Sequence, residues 1–269
     1  RDDTKGIHRN GIEIVTYPQE AAKRKDEVFN ATGPQVDQNV IDFTNTVTLN
    51  RDINFRTRGA VVTISGVLAG AAGNDLNKLE QGSLWLKGDN TYAGTTYVSN
   101  GYIIAGHDNA FGTATNNVTF RSNVFSQVLA SGLRTLSRNF ENTATGSTQT
   151  LGGLDAGAKS FTGNLLLTGR GFNLTAVDGG DVTFSGTISG AGATGITKVG
   201  NGTVVLDPVS GTGNTFTSGI TVQGGKLIGQ SQLTSGSPFG GSATAFTVTN
   251  GALQLRGTNV ARNTTTTGS

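Results

Sequence analysis

Acid–base chemistry on a repetitive scaffold needs carboxylates, or a basic residue, gathered on one face of adjacent repeats. In this chain of 269 residues the first groups to weigh are therefore Asp178 with Asp181, Lys78 with Lys198, and the two histidines His8 and His107. Asp178 and Asp181 flank two glycines, which predict a solvated turn, and no third acid or paired Arg follows at repeat spacing. Lys78 and Lys198 recur at the same point of an internal repeat, which predicts a structural position. His8 and His107 stand in unrelated contexts, and two histidines without cysteine make a poor metal set. Neither GGLDAG from Gly152 nor DGGD from Asp178 fits the glycine-rich calcium nonapeptide. The residues thus predict no catalytic group, no cofactor-binding residue and no metal ligand, and the chain is expected not to be an enzyme. One surface remains as a candidate: Trp85, Tyr92, Tyr97 and Tyr102 bunch together, and Trp85 and Tyr97 fall between aliphatic residues that should face inward. That aromatic patch could stack on sugars, or pack beneath a loop or a neighbouring subunit.

Such residues need a scaffold, and composition restricts which. The chain holds 41 Gly, 4 Pro, no Cys and only 14% charged residues, with a net charge of +2. The near-neutral balance gives no electrostatic footprint for nucleic acid. Hydrophobic content is 35%, low for an ordinary globular core, yet the charge is also too low for a typical disordered chain. Gly, Thr, Ser and Asn fill the gap, which suits many short strands joined by tight turns. Without cysteine, stability must come from packing and backbone ladders. No apolar run is long enough for a membrane-spanning helix.

The organising signal is an internal repeat. Val62 to Leu86 lies over Val182 to Leu206 at a constant offset of 120, with nine identities: Val62, Thr63, Ser65, Gly66, Gly70, Ala71, Lys78, Gly82 and Leu86 and their partners. The match continues, with short insertions, through NTY at Asn90 to Tyr92 and NTF at Asn214 to Phe216, then Phe111 with Gly112 against Phe239 with Gly240. Insertions confined to turns are what stacked coils allow. Within each copy apolar residues alternate, as in Leu84 and Leu86 or Val204 and Leu206, which is the period of a strand. Glycines between them limit strands to a few residues, so each coil should take about 20–25 residues.

SGTISGAGATGITKVGNGTVVL, followed by NTF and TSGITVQGGKLIG, and its partner GSLWLKGDNTYAGTTYVSNGYIIAG resemble the passenger-associated, autotransporter-type β-strand repeat. The similarity covers about two modules, with Arg121 to Ser160 a looser match. It implies an all-β, right-handed parallel β-helix on a large exported bacterial surface protein, and a motif that is structural and marks no active site.

Residues 1–40 differ from the rest, holding 13 of the chain's 38 charges. Within them GIEIVTY alternates as a strand would, while Pro18 to Phe29 can form a short helix. The segment is either a cap on the first coil or a donor strand for a neighbour, with Ile12, Ile14, Val15 and Tyr17 as candidate subunit contacts. The expected organisation is this segment followed by a β-solenoid over 41–269 built from two modules, about 47–160 and 161–269. The expected function is a structural subunit of a bacterial extracellular filament or cell-surface assembly. Its partners would be copies of itself joined head to tail through the solenoid ends and the N-terminal strand, or other surface polymers, with glycans a further candidate. An adhesive segment of a larger surface protein is the alternative, and a polysaccharide-active enzyme the third.

Overall fold

The computed structural model describes residues 40–257 without 114, 210–212, 232–235 and 242–243, together with the backbone of 7–8 and 11–15. The Pro18 to Phe29 segment and Tyr17 lie outside the described residues. Every regular element among the described residues is a strand of two to six residues. The chain forms two compact units, Arg1–Thr119 with Val124–Gln127, and Phe120–Asn123 with Val128–Ser269. Each is a parallel β-solenoid.

In the first unit, Val40–Phe43, Val61–Ile64, Ser83–Leu86 and Gly101–Ala105 stack in parallel as one sheet, and Ile53–Arg56, Leu76–Leu79 and Thr96–Val98 as another. Val47–Leu49 and Leu68–Gly70 make a third, shorter ladder. Register places like residues above one another: Val62, Leu84 and Ile103 share a column, as do Ile64, Leu86 and Ala105, and all six are fully buried. Successive strands point alternate side chains in and out, so each coil contributes one layer to an aliphatic core. That stacking is why the alternation is legible in the sequence.

The second unit repeats the plan. Gln149–Gly153, Phe172–Thr175, Ile196–Val199, Ile220–Val222 and Phe246–Val248 form one sheet. Arg134–Leu136, Gly157–Phe161, Gly180–Phe184, Thr203–Leu206, Lys226–Ser231 and Ala252–Gly257 form a second. Phe140–Asn142, Leu165–Leu167 and Ile188–Gly190 form a third. Phe161 stacks on Phe184 with ring centroids 4.8 Å apart, extending the core with aromatic layers.

Corners are held by two devices. Asp and Asn side chains accept a backbone N–H one coil further on: Asp52 from Asp75 at 2.9 Å and Asp75 from Thr95 at 2.8 Å in the first unit, Asn139 from Asn164 and Asn164 from Thr187 in the second. Glycines admit the close approach of neighbouring coils. A Cβ on Gly171 would sit 1.3 Å from the Gly195 carbonyl oxygen, and one on Gly88 2.0 Å from that of Gly66.

Candidate functional site

Lys78 and Lys198 both project into the solenoid interior, fully buried. Lys78 shares its column with Phe55 and Val98, and Lys198 with Leu174 and Val222. Each ammonium is caged by three carbonyls. Lys78 Nζ donates to Leu79 O, Glu80 O and Asn100 O at 3.1, 2.7 and 2.8 Å. Lys198 Nζ donates to Val199 O, Gly200 O and Gly224 O at 2.8, 2.7 and 3.0 Å. One acceptor is the last residue of the lysine's own strand, one lies in the turn after it and one in the next coil, so the side chain ties a corner to the layer above it. Burial pushes Lys78 down to about 7, with Glu80 opposing, and Lys198 down to about 8. In the first copy the turn residue is Glu80, at φ 63°, where the second copy has Gly200 at 76°. Arg56 and Arg58 hold the Glu80 carboxylate at 2.9 and 2.8 Å, and Lys78 takes its carbonyl.

A third buried lysine has no counterpart in the sequence repeat. Lys159 donates to the carbonyls of Asp155, Ala156 and Gly157 and pairs with the Asp155 carboxylate at 2.7 Å. Burial alone would raise Asp155, but hydrogen bonds from Lys159, Ser131 and Gly132 hold it below its ordinary value.

The NTY and NTF tripeptides supply a second internal staple. Asn90 accepts from Leu68 N–H at 2.8 Å and donates to Ala110 O at 2.8 Å. Asn214 accepts from Ile188 N–H at 2.7 Å and donates to Pro238 O at 2.6 Å. One amide thus bridges three coils, using its acceptor downward and its donor upward.

The four aromatic residues do not form one patch. Trp85 lies opposite Thr63 and Ile104 between the buried Leu84 and Leu86, so it faces outward and is partly exposed. Tyr102 is outward on the same sheet, opposite Ser83, with Phe125 edge-on at 6.3 Å. Phe125 is 48% exposed, and its distance along the chain from the other rings offers no reason to add it to the group. Lys87 Nζ sits 5.0 Å over the Trp85 ring. Tyr97 is outward on a different sheet, opposite Asn77. Tyr92 corrects the expectation of a surface position: it is fully buried, its hydroxyl 2.6 Å from that of Thr96. It aligns with Phe216, also fully buried, so a ring at this point of the module fills the core.

The remaining candidates are simple. Asp178 lies in the turn before Gly180–Phe184, closed by a hydrogen bond from Gly180 N–H to Val177 O, and Asp181 is exposed on the strand. His107 is on an exposed turn, where its Nδ1 accepts from Asn109 N–H at 3.1 Å, and His8 is in the strand Ile7–His8. Among the described residues no group of three or more His, Cys, Asp or Glu side chains could hold a metal ion, and no helix is long and apolar enough to cross a membrane.

The candidate subunit contacts at the N-terminus fall on a strand, Gly11–Val15, which pairs in parallel with Ile53–Arg56: Ile12 opposite Ile53, Ile14 opposite Phe55 and Val15 opposite Arg56. The strand Ile7–His8 folds back antiparallel on it, pairing only with Ile12 and Gly11. At the other extreme, Ala252–Gly257 pairs over six residues with Lys226–Ser231 on one side. Among the described residues no strand lies on its other side, and Leu255, on an inward column with the fully buried Leu206, is 36% exposed. Comparison with protein-family models, with curated proteins and with solved structures finds no match for this chain, so what stands is a parallel β-solenoid built on a repeated module.

Proposed function

We propose that this chain is a structural subunit of a bacterial extracellular filament or surface assembly, of the autotransporter-type repeat class whose motif it resembles, joined through its strand edges. The observation that carries this reading is the Ala252–Gly257 strand. Among the described residues its six positions have no strand on the outer side, and Leu253 and Leu255 continue inward columns. A parallel edge of that kind is a template for another strand. The surrounding architecture suits a structural role, because within each unit coils are tied by backbone ladders, with Asx corners and buried Asn and Lys staples added. The test replaces Leu253 and Leu255 together with Asp and follows sedimentation across a concentration series. The parent should sediment faster as concentration rises and the variant should stay at the single-chain value; a parent that stays there too overturns the proposal.

A second reading, an adhesive segment of a larger surface protein, is favoured by the outward group Trp85, Tyr102 and Phe125. Exposed rings can stack on the faces of sugars, and in a longer chain the Ala252–Gly257 edge would carry further coils. Binding of the chain to cell-surface polysaccharide that is lost in Tyr102→Ala with Phe125→Ala would support this reading.

A further inference from the structure

The two strand edges differ in which side is free. Gly11–Val15 is paired, on the side of its own solenoid, with Ile53–Arg56. Among the described residues its other side is covered at Gly11 and Ile12, by the short antiparallel arm Ile7–His8. Ala252–Gly257 is paired on the side of Lys226–Ser231. One edge therefore faces the direction of earlier residues and the other the direction of later ones. Each strand is paired in parallel on the side of its own solenoid, so a parallel contact between the two free sides suits both, and such a contact is heterologous.

We infer that the outer edge of Gly11–Val15 receives the Ala252–Gly257 strand of a second copy, and that the Ile7–His8 arm restrains this contact by occupying the first two positions of that edge. The inference rests on the assembly proposed above and names its partner and its regulation. The physical grounds are two. An antiparallel strand at the margin of a parallel sheet cannot continue the parallel ladder, so a partner must displace it before pairing at Gly11 and Ile12. A two-residue arm carries few ladder bonds, so it slows or weakens the contact without abolishing it. Short strands that blunt an edge are a recognised guard against edge-to-edge association.

The chain lacks cysteine, so the arm can be locked by a single introduced pair. In Ile7→Cys with Ile12→Cys, positions that lie opposite each other, oxidation should fix the arm in place and reduction should free it. Light scattering against concentration is read for the parent, for this variant in both redox states, and for chains lacking residues 1–9 or 1–39. The inference expects the onset of assembly to fall about tenfold in concentration without residues 1–9, to rise on oxidation of the cysteine pair, and to vanish without residues 1–39. Assembly at one concentration in the parent, the 1–9 deletion and both redox states overturns the arm's role and leaves the assembly proposal standing. Assembly that persists without residues 1–39 overturns Gly11–Val15 as the receiving edge. Absence of assembly in every protein overturns both proposals.

Discussion

At the scale of single residues, the solenoid interior is held by polar side chains that spend all their hydrogen-bonding capacity. Three carbonyls meet the three donors of each ammonium at Lys78 and Lys198. Replacing either lysine with Met keeps the volume and strands the carbonyls, so Lys78→Met and Lys198→Met should each cost about 2–3 kcal/mol in denaturant unfolding near neutral pH. Asn90→Ala and Asn214→Ala each orphan one donor and one acceptor and should cost a similar amount, about 2 kcal/mol. The lysines also set a pH dependence. Burial lowers Lys78 to about 7 and Lys198 to about 8 from an ordinary 10.5. Between those values the unfolded chain binds more protons than the folded one, so stability should rise as pH goes from about 7 toward 10.5 and this contribution should be flat below 7. Unfolding at pH 6 and pH 10 in the parent and in the double Met variant checks this; an equal change in both would contradict it. The recurrence of Lys78 and Lys198 was enough to predict a structural position, but their carbonyl cages were not legible, because backbone carbonyls leave no trace in sequence. Lys159 escaped because it lies in the stretch where the repeat is loosest. Tyr92 departs from the expected surface position because its hydroxyl, which suggests solvent, finds Thr96 inside the core instead.

At the scale of elements, strand alternation was readable because the coils within each unit stack in register over that unit's core. Leu84 and Leu86 face in and Trp85 faces out, as the alternation requires. Corners were less readable. The glycines marked where turns fall but not how closely successive corners nest, which depends on residues one coil away. Gly171 is the sharpest case, since its missing Cβ makes room for the Gly195 carbonyl. Gly171→Ala should therefore destabilise by about 3 kcal/mol or more, through displaced backbone rather than altered turn preference. Gly59→Ala, at a positive-φ position with open space around it, should cost only the milder strain of its conformation, about 1 kcal/mol. Thermal unfolding of both variants separates nesting from turn strain.

At the scale of the whole molecule, the repeat at an offset of 120 carried the fold class, because a module that stacks on itself leaves its period in the sequence. The outer edge of Ala252–Gly257, with no strand beside it among the described residues, and the antiparallel arm at Ile7–His8 were not legible, since both depend on which strand lies beside which. The central claim is that such edges join copies of this chain into an extended assembly. Negative-stain electron microscopy of the purified chain across a concentration series tests it most directly. The account predicts filaments that lengthen with concentration and are absent when residues 1–39 are deleted; separate particles of single-chain size at every concentration would contradict it.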